Sequence, residues 1–313
     1  MANLIADRRP LGLDDLRGDP RRMRVEKLMQ VVLLGAACSS VVISCLIVFS
    51  LARETWTFVS QVEWATLWSD GWFPRRGMYD VKTIVAGTLI VTFIAMLVAG
   101  PLGLGAAIYL SEYARPGTRS VLKPILEILA GIPSVVLGFF ALTFISPEIV
   151  QKLVGEATQF NMAAAGIAVG ILTVPLVASI SEDAMRSVPS SLREASYGLG
   201  ARKITTTVKV VIPAAISGLV AAFIVAVSRA IGETMVVFIA AGATGGSLFS
   251  LDPFGPGQTM TAAMASQAAG TDQVVGEGLT FQSLFFVGML LFLVTLILNV
   301  SADRFVQRAR QKY

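Results

Sequence analysis

The 313-residue chain contains no histidine. HExxH zinc chemistry and a Ser-His-Asp triad are therefore excluded within it. Charge is scarce: 15% of residues are Asp, Glu, Lys or Arg, where soluble domains carry roughly a quarter. No GxxxxGK[ST] segment is present, so the chain has no P-loop of its own for ATP. The two cysteines, Cys38 and Cys45, stand seven residues apart in one apolar run. On a helix that spacing separates their Cα atoms by about 10 Å, beyond disulfide reach, so they read as apolar packing residues.

Long apolar runs fill the space that charge leaves. Leu28–Ala52, Thr83–Ser111, Ile128–Pro147, Ala157–Ser181 and Gly278–Ala302 are free of charge, and each approaches or exceeds the ~20 residues that cross a bilayer. Ile216–Ala241 is a sixth run, broken by Arg229 and Glu233. The fold class is thus an all-α integral membrane protein with six transmembrane helices. The first run is about twice the length of a signal-peptide core and lacks an Ala-x-Ala site, so it is expected to remain as a helix.

Arg229 and Glu233 are the most informative residues. An ionised side chain at membrane depth costs roughly 2.5–3.5 kcal/mol on insertion scales, and such residues usually face a bundle interior or a solute path. At four-residue spacing on a continuous helix both would project from one face. Arg229 is expected near mid-depth, as a transient contact for an anion, because a guanidinium presents a planar fork of donors and stays charged. Glu233 would either compete with the anion for Arg229 or accept a proton from it. A structural Arg229–Glu233 bridge is the alternative, in the weaker i,i+4 orientation. Glu127, at the start of the third run, is a weaker pathway candidate. Gly100, Pro101, Gly103 and Gly105 in the second run, and Gly131 and Pro133 in the third, are expected either to break helices along a path or to permit close packing.

Nineteen of the 25 Lys and Arg residues fall in 1–28, 111–123, 182–213 and 303–313, against five on the other side. This asymmetry places both termini in the cytoplasm. The net charge of +4 reflects it and is no footprint of nucleic acid, since no basic patch is interleaved with stacking aromatics. The expected layout is a cytoplasmic tail 1–28, a first transmembrane helix 29–52 and an external segment 53–82. A five-helix core 83–302 follows, with cytoplasmic loop 187–213 and external loop 242–280, then a cytoplasmic tail 303–313. Trp56, Trp64, Trp68 and Trp72 all lie in the external segment. The last three repeat every four residues, as one stripe of a short helix at the lipid headgroups would, or as a docking face for an external partner. Loop 242–280 carries Pro253, Pro256 and only acidic charge (Asp252, Asp272, Glu277). A loop of that length is usually functional, and a re-entrant cap is one possibility left open.

In the cytoplasmic loop, Ser191 and Glu194 have capping-box spacing just after Pro189. Gly198 and Gly200 then stop the helix, Lys203–Lys209 re-enter helix and Pro213 marks a bend. Glu194-Ala195-Ser196, Gly200 and Val210-Val211-Ile212-Pro213 keep the spacing of the E-A-A, G, I-x-L-P signature of binding-protein-dependent ABC importer permeases, which this chain resembles. Segments 101–114, 128–140 and 228–237 resemble the phosphate-specific permeases, and the Met after Glu-Thr is similar to their C-type subunit.

The resemblance implies the type I importer permease fold, with Glu194, Ala195, Ser196, Gly200, Val210, Ile212 and Pro213 on a coupling helix and loop that seat in an ATPase subunit. It further implies a homologous A-type permease, an ATPase dimer and an external phosphate-binding protein as partners. The chain itself would bind no metal or cofactor, with ATP and its magnesium on the ATPase. A permease for sulfate or molybdate is the alternative, while an integral-membrane enzyme lacks a nucleophile motif. A secondary transporter would leave the 194–213 signature unexplained.

Overall fold

The computed structural model describes residues 20–242, 245–269 and 278–309, so most of the basic tail and the acidic Asp272 and Glu277 lie outside the described residues. Contacts divide the chain into two units, Met1–Leu51 and Ala52–Tyr313. In the first, α1 (Pro20–Gln61) presents exposed apolar side chains such as Val31, Leu34 and Leu46, and Cys38 and Cys45 are free. The helix continues nine residues past the expected end at Ala52, because no glycine or proline interrupts Arg53–Gln61.

The second unit begins where α1 meets a small antiparallel sheet. Strands β1 (Gly71–Phe73), β2 (Met78–Tyr79) and β3 (Ser247–Leu248) have the order β2-β1-β3, with Trp72 opposite both Tyr79 and Ser247. The expected tryptophan stripe is corrected here. Trp56 lies on α1, and Trp64 and Trp68 on a 3₁₀ turn; all three are exposed. Trp72 is 1% exposed and packs edge-on to Tyr79. A strand alternates faces, so Trp72 turns inward while the helical spacing that joined it to Trp68 never forms.

Helix α2 (Val81–Ile108) runs unbroken through Pro101 into a π-helical stretch, Tyr109–Tyr113. The interruption considered for the second run is therefore absent, and close packing takes its place. A Cβ added at Gly103 would lie 2.6 Å from Val177, and one at Gly166 or Gly170 would lie 2.7 Å from Ile94 or Val98. These contacts join α2 to the later helix over Met162–Arg186, and the paired positions advance together, so the two helices run in the same direction. Small residues let their backbones approach where lipid offers no hydrophobic drive to hold helices together.

The third run does break. Helix α3 (Pro116–Ala130) ends at Gly131, and α4 (Ser134–Phe140) starts after Pro133, continuing through π-helical Ala141–Val150 into α5 (Gln151–Leu153). The candidate span is Ser134–Leu153. Glu127 thus sits on α3, ahead of the span and not at its start, because Pro133 cannot donate the backbone bond that would continue the helix.

Helix α6 (Met162–Arg186) is capped by Asn161, whose Oδ1 accepts from the Ala164 amide at 2.7 Å. Next come α7 (Ser190–Gly198), α8 (Lys203–Thr206), π-helical Thr207–Val211 and α9 (Ile212–Ala214). Just beyond Pro213 the axis turns by 72° into α10 (Ile216–Ile231), as the proline suggested. Helices α11 (Met235–Ala240), α12 (Met260–Ala268) and α13 (Thr280–Ala309) complete the described chain. Among the described residues, five helices are long and apolar enough to cross a membrane, or six if the bent pair forms one span.

Within loop 242–280, the described residues 245–269 fold back into the unit. The carbonyls of Pro253 and Gly255 accept from the Ala163 and Met162 amides at 2.8 and 3.2 Å, and Met260–Ala263 of α12 are buried. Gly87 on α2 leaves room for the Gln258 carbonyl, where any Cβ would collide.

Candidate anion pathway and coupling surface

Arg229 lies in the last turn of α10, which stops at Ile231 with Gly232 as its cap. Helix resumes only at Met235, so Glu233 falls in the break. The expectation that the two side chains share one helix face is corrected: the fifth run is two helices, and no continuous face exists. Neither residue takes part in an ion pair among the described residues, so the Arg229–Glu233 bridge does not form. Thr261 of the folded-back loop donates to the Glu233 carbonyl at 2.7 Å, satisfying a backbone acceptor freed by the break. The segments after the two breaks, α4 and α11, pack together, with Gly138 against Ile239 and the Met235 carbonyl.

Arg229 lines a cavity of about 290 Å³ with Glu127, Lys123, Glu182 and apolar residues that include Leu110 and Leu172. Sequence reasoning paired Arg229 with Glu233; the structure brings it together with Glu127 instead, and Glu233 does not line this cavity. Lys123, Leu126, Glu127 and Ala130 reach the wall because three- and four-residue steps place them on one side of α3. The α6 lining extends from Leu172 to Glu182, about 15 Å at 1.5 Å per residue.

Glu182 is fully buried and held by cations. Arg119 pairs with one carboxylate oxygen, Lys123 Nζ lies 3.4 Å from the other, and Arg186 is 3.9 Å away. Lys123 also approaches Asp183, at 3.6 Å. A carboxylate removed from water needs such partners, or its desolvation cost of several kcal/mol stands uncompensated. Sequence reasoning passed over Arg119, Lys123 and Glu182 because each lies near the end of an apolar run, where charge is ordinary.

The surface carrying α7 closes the same end of the unit. Helix α7 starts at Ser190 behind Pro189 and has no side-chain cap, so the expected Ser191–Glu194 capping box is corrected. Pro189 supplies the extended entry geometry, and Ser191 is already inside the first turn. Its end matches expectation: Gly200 has φ +77°, the Gly200 amide donates to Tyr197 at 2.9 Å, and the Ala201 amide donates to Ser196 at 3.1 Å. This is a Schellman stop, which favours glycine. Glu194 and Ala195 are exposed, Ser196 Oγ bonds Thr206 Oγ1 at 2.9 Å, Val210 and Ile212 are half-buried, and Pro213 is exposed. Leu199 is 90% exposed, an apolar side chain offered outward.

Arg193 ties α7 down. It donates to Glu112 Oε1 at 2.9 Å and to the Met185 and Val188 carbonyls at 2.8 and 2.6 Å. Glu112 stands on the π-helical end of α2, so one guanidinium connects α7, the end of α6 and the end of α2.

The sequence pattern of the binding-protein-dependent transport system inner membrane component family matches residues 99–311, which include the cavity and the α7 surface. The chain belongs to that family. It is 34% identical, over 96% of its length and 95% of the relative's, to the probable ABC transporter permease protein YqgH of Bacillus subtilis. It is 29% identical to the phosphate transport system permease protein PstC of Mesorhizobium japonicum, covering 91% and 88% of the two chains. The fold resembles a chain in the crystal structure of a bacterial alginate ABC transporter in complex with an alginate-pentasaccharide-bound periplasmic protein. That match has a TM-score of 0.65 at 13% identity and covers 93% of this chain and 98% of the other.

The permease is therefore a multi-pass inner-membrane component of a transport system, and nucleotide hydrolysis belongs to a separate subunit. Permeases of this kind work with an ATPase and a binding protein. Its signature residues are presented on the exposed α7 segment and the bent entry to α10.

Proposed function

We propose that this permease carries inorganic phosphate across the cytoplasmic membrane, received from an external binding protein and driven by a partner ATPase dimer that holds ATP and magnesium. A homologous A-type permease completes the pair. The basic asymmetry of the sequence orients both termini and α7 toward the cytoplasm. Arg229, outside every ion pair among the described residues yet on the wall of a cavity with Lys123, Glu127 and Glu182, is the observation that carries the reading. A guanidinium there offers phosphate paired donors in a low-dielectric setting, where a charge-assisted hydrogen bond is strong. The phosphate transport relatives support this choice of oxyanion.

Arg229 is the transient contact, Glu127 on the same cavity wall modulates it, Glu233 in the break beyond is a pathway residue outside this cavity, and Glu194 to Pro213 form the coupling surface. In proteoliposomes holding the whole complex, Arg229→Ala and Glu233→Gln are each expected to abolish uptake of labelled phosphate with ATPase assembly intact. Loss of assembly in both variants would assign them a structural role. Sulfate or molybdate uptake in place of phosphate would overturn the substrate.

A further inference from the structure

Beyond Arg229, we propose a second oxyanion station on the same route, formed by Lys123 and Arg119 of α3, with buried Glu182 as the resident counterion that a passing anion displaces. This rests on the reading of the chain as an oxyanion permease. The geometry begins with two cavities. The one containing Arg229 shares Lys123 and Glu127 with a second, more open cavity of about 410 Å³ lined by Pro116, Arg119, Ser120 and Pro124. Lys123 and Glu127 therefore form a common wall, and the pair of cavities runs from Arg229 past Arg119 to Pro116 at the start of α3. The α6 lining of the inner cavity spans about 15 Å, half of a ~30 Å hydrocarbon layer.

Charge supports a station over a simple brace. Arg119, Lys123, Arg186 and Arg229 face Glu127, Glu182 and Asp183, four cations against three anions. One positive charge is left over to attract a solute anion. The Lys123 and Arg119 side chains keep 30% and 27% of their exposure, whereas that of Glu182 keeps 1%. The cations can thus swing toward an anion while the carboxylate stays fixed. An anion leaving Arg229 takes the place of the Glu182 carboxylate as partner of the same ammonium and guanidinium, and the two cations return to Glu182 once it has passed. Lysine, a compact charge on a flexible stem, suits brief contact.

The test uses the whole complex in proteoliposomes with labelled inorganic phosphate. Lys123→Met and Arg119→Met are each expected to lower uptake at least tenfold with assembly retained, and Lys123→Arg to recover most of it. In a chain also carrying Cys38→Ser and Cys45→Ser, modification of Lys123→Cys by an anionic thiosulfonate should slow at least fivefold with saturating phosphate but not with chloride. Wild-type uptake in both methionine variants, or no protection by any transported oxyanion, would overturn the station. So would lost assembly in Lys123→Met that Lys123→Arg does not rescue, which marks a brace. If the wild-type complex moves sulfate and not phosphate, the substrate reading falls, yet protection by sulfate would still support the station.

Discussion

Replacing Arg193 by methionine tests how motion reaches the membrane helices. Its side chain is 19% exposed and that of Glu112 is 4% exposed, so the pair is largely removed from water. Truncating one partner of such a pair costs about 3–5 kcal/mol, mostly because the other charge is left buried and alone. Arg193 keeps some solvent, which places the loss near the lower end, about 3 kcal/mol. A free-energy change of about 3 kcal/mol is roughly a hundredfold change in the population of seated α7. The outward surface of α7, with Glu194, Ala195 and Leu199, is untouched by the substitution.

The expected outcome is a complex that still assembles with its ATPase and hydrolyses ATP but moves at least tenfold less phosphate per ATP. Glu112→Gln should show a similar loss, and the double variant should lose less than the two singles combined, since neither leaves the other's charge stranded. Measured phosphate-to-ATP ratios decide the matter. If Arg193→Met and Glu112→Gln both retain the wild-type ratio, the tie does not transmit motion and the reasoning fails.

Two further outcomes follow from local geometry. Gly200→Ala places a Cβ at φ +77°, a strain of about 1–2 kcal/mol in the left-handed region, and should lower the phosphate-to-ATP ratio without affecting membrane insertion. Trp72→Ala empties a site in the sheet core and should destabilise the protein by about 3–5 kcal/mol. Trp64→Ala and Trp68→Ala, at exposed positions, should each change stability by less than about 0.5 kcal/mol. Denaturant unfolding of the purified protein separates these; equal losses at all three would restore the single tryptophan stripe.

Much of this protein follows from its sequence because the bilayer permits few solutions. Apolar runs of the right length must be helices, since unpaired backbone groups are intolerable in lipid. The spacing from Glu194 to Pro213 records a local stop and bend that glycine and proline impose on any chain. The Schellman stop at Gly200 and the 72° turn after Pro213 need no distant contact. Tertiary structure decided what depends on residues far apart in the chain. Pro101 stays helical within α2, which packs along α6 over its length, while the chain breaks at Gly131 and Pro133 between α3 and α4. Whether Arg229 meets Glu233 or Glu127 was equally a question of packing. A three-residue gap, Gly232 to Thr234, undoes the four-residue spacing, and α3 and α6 then supply Glu127, Lys123 and Glu182 from positions 47 to 106 residues away.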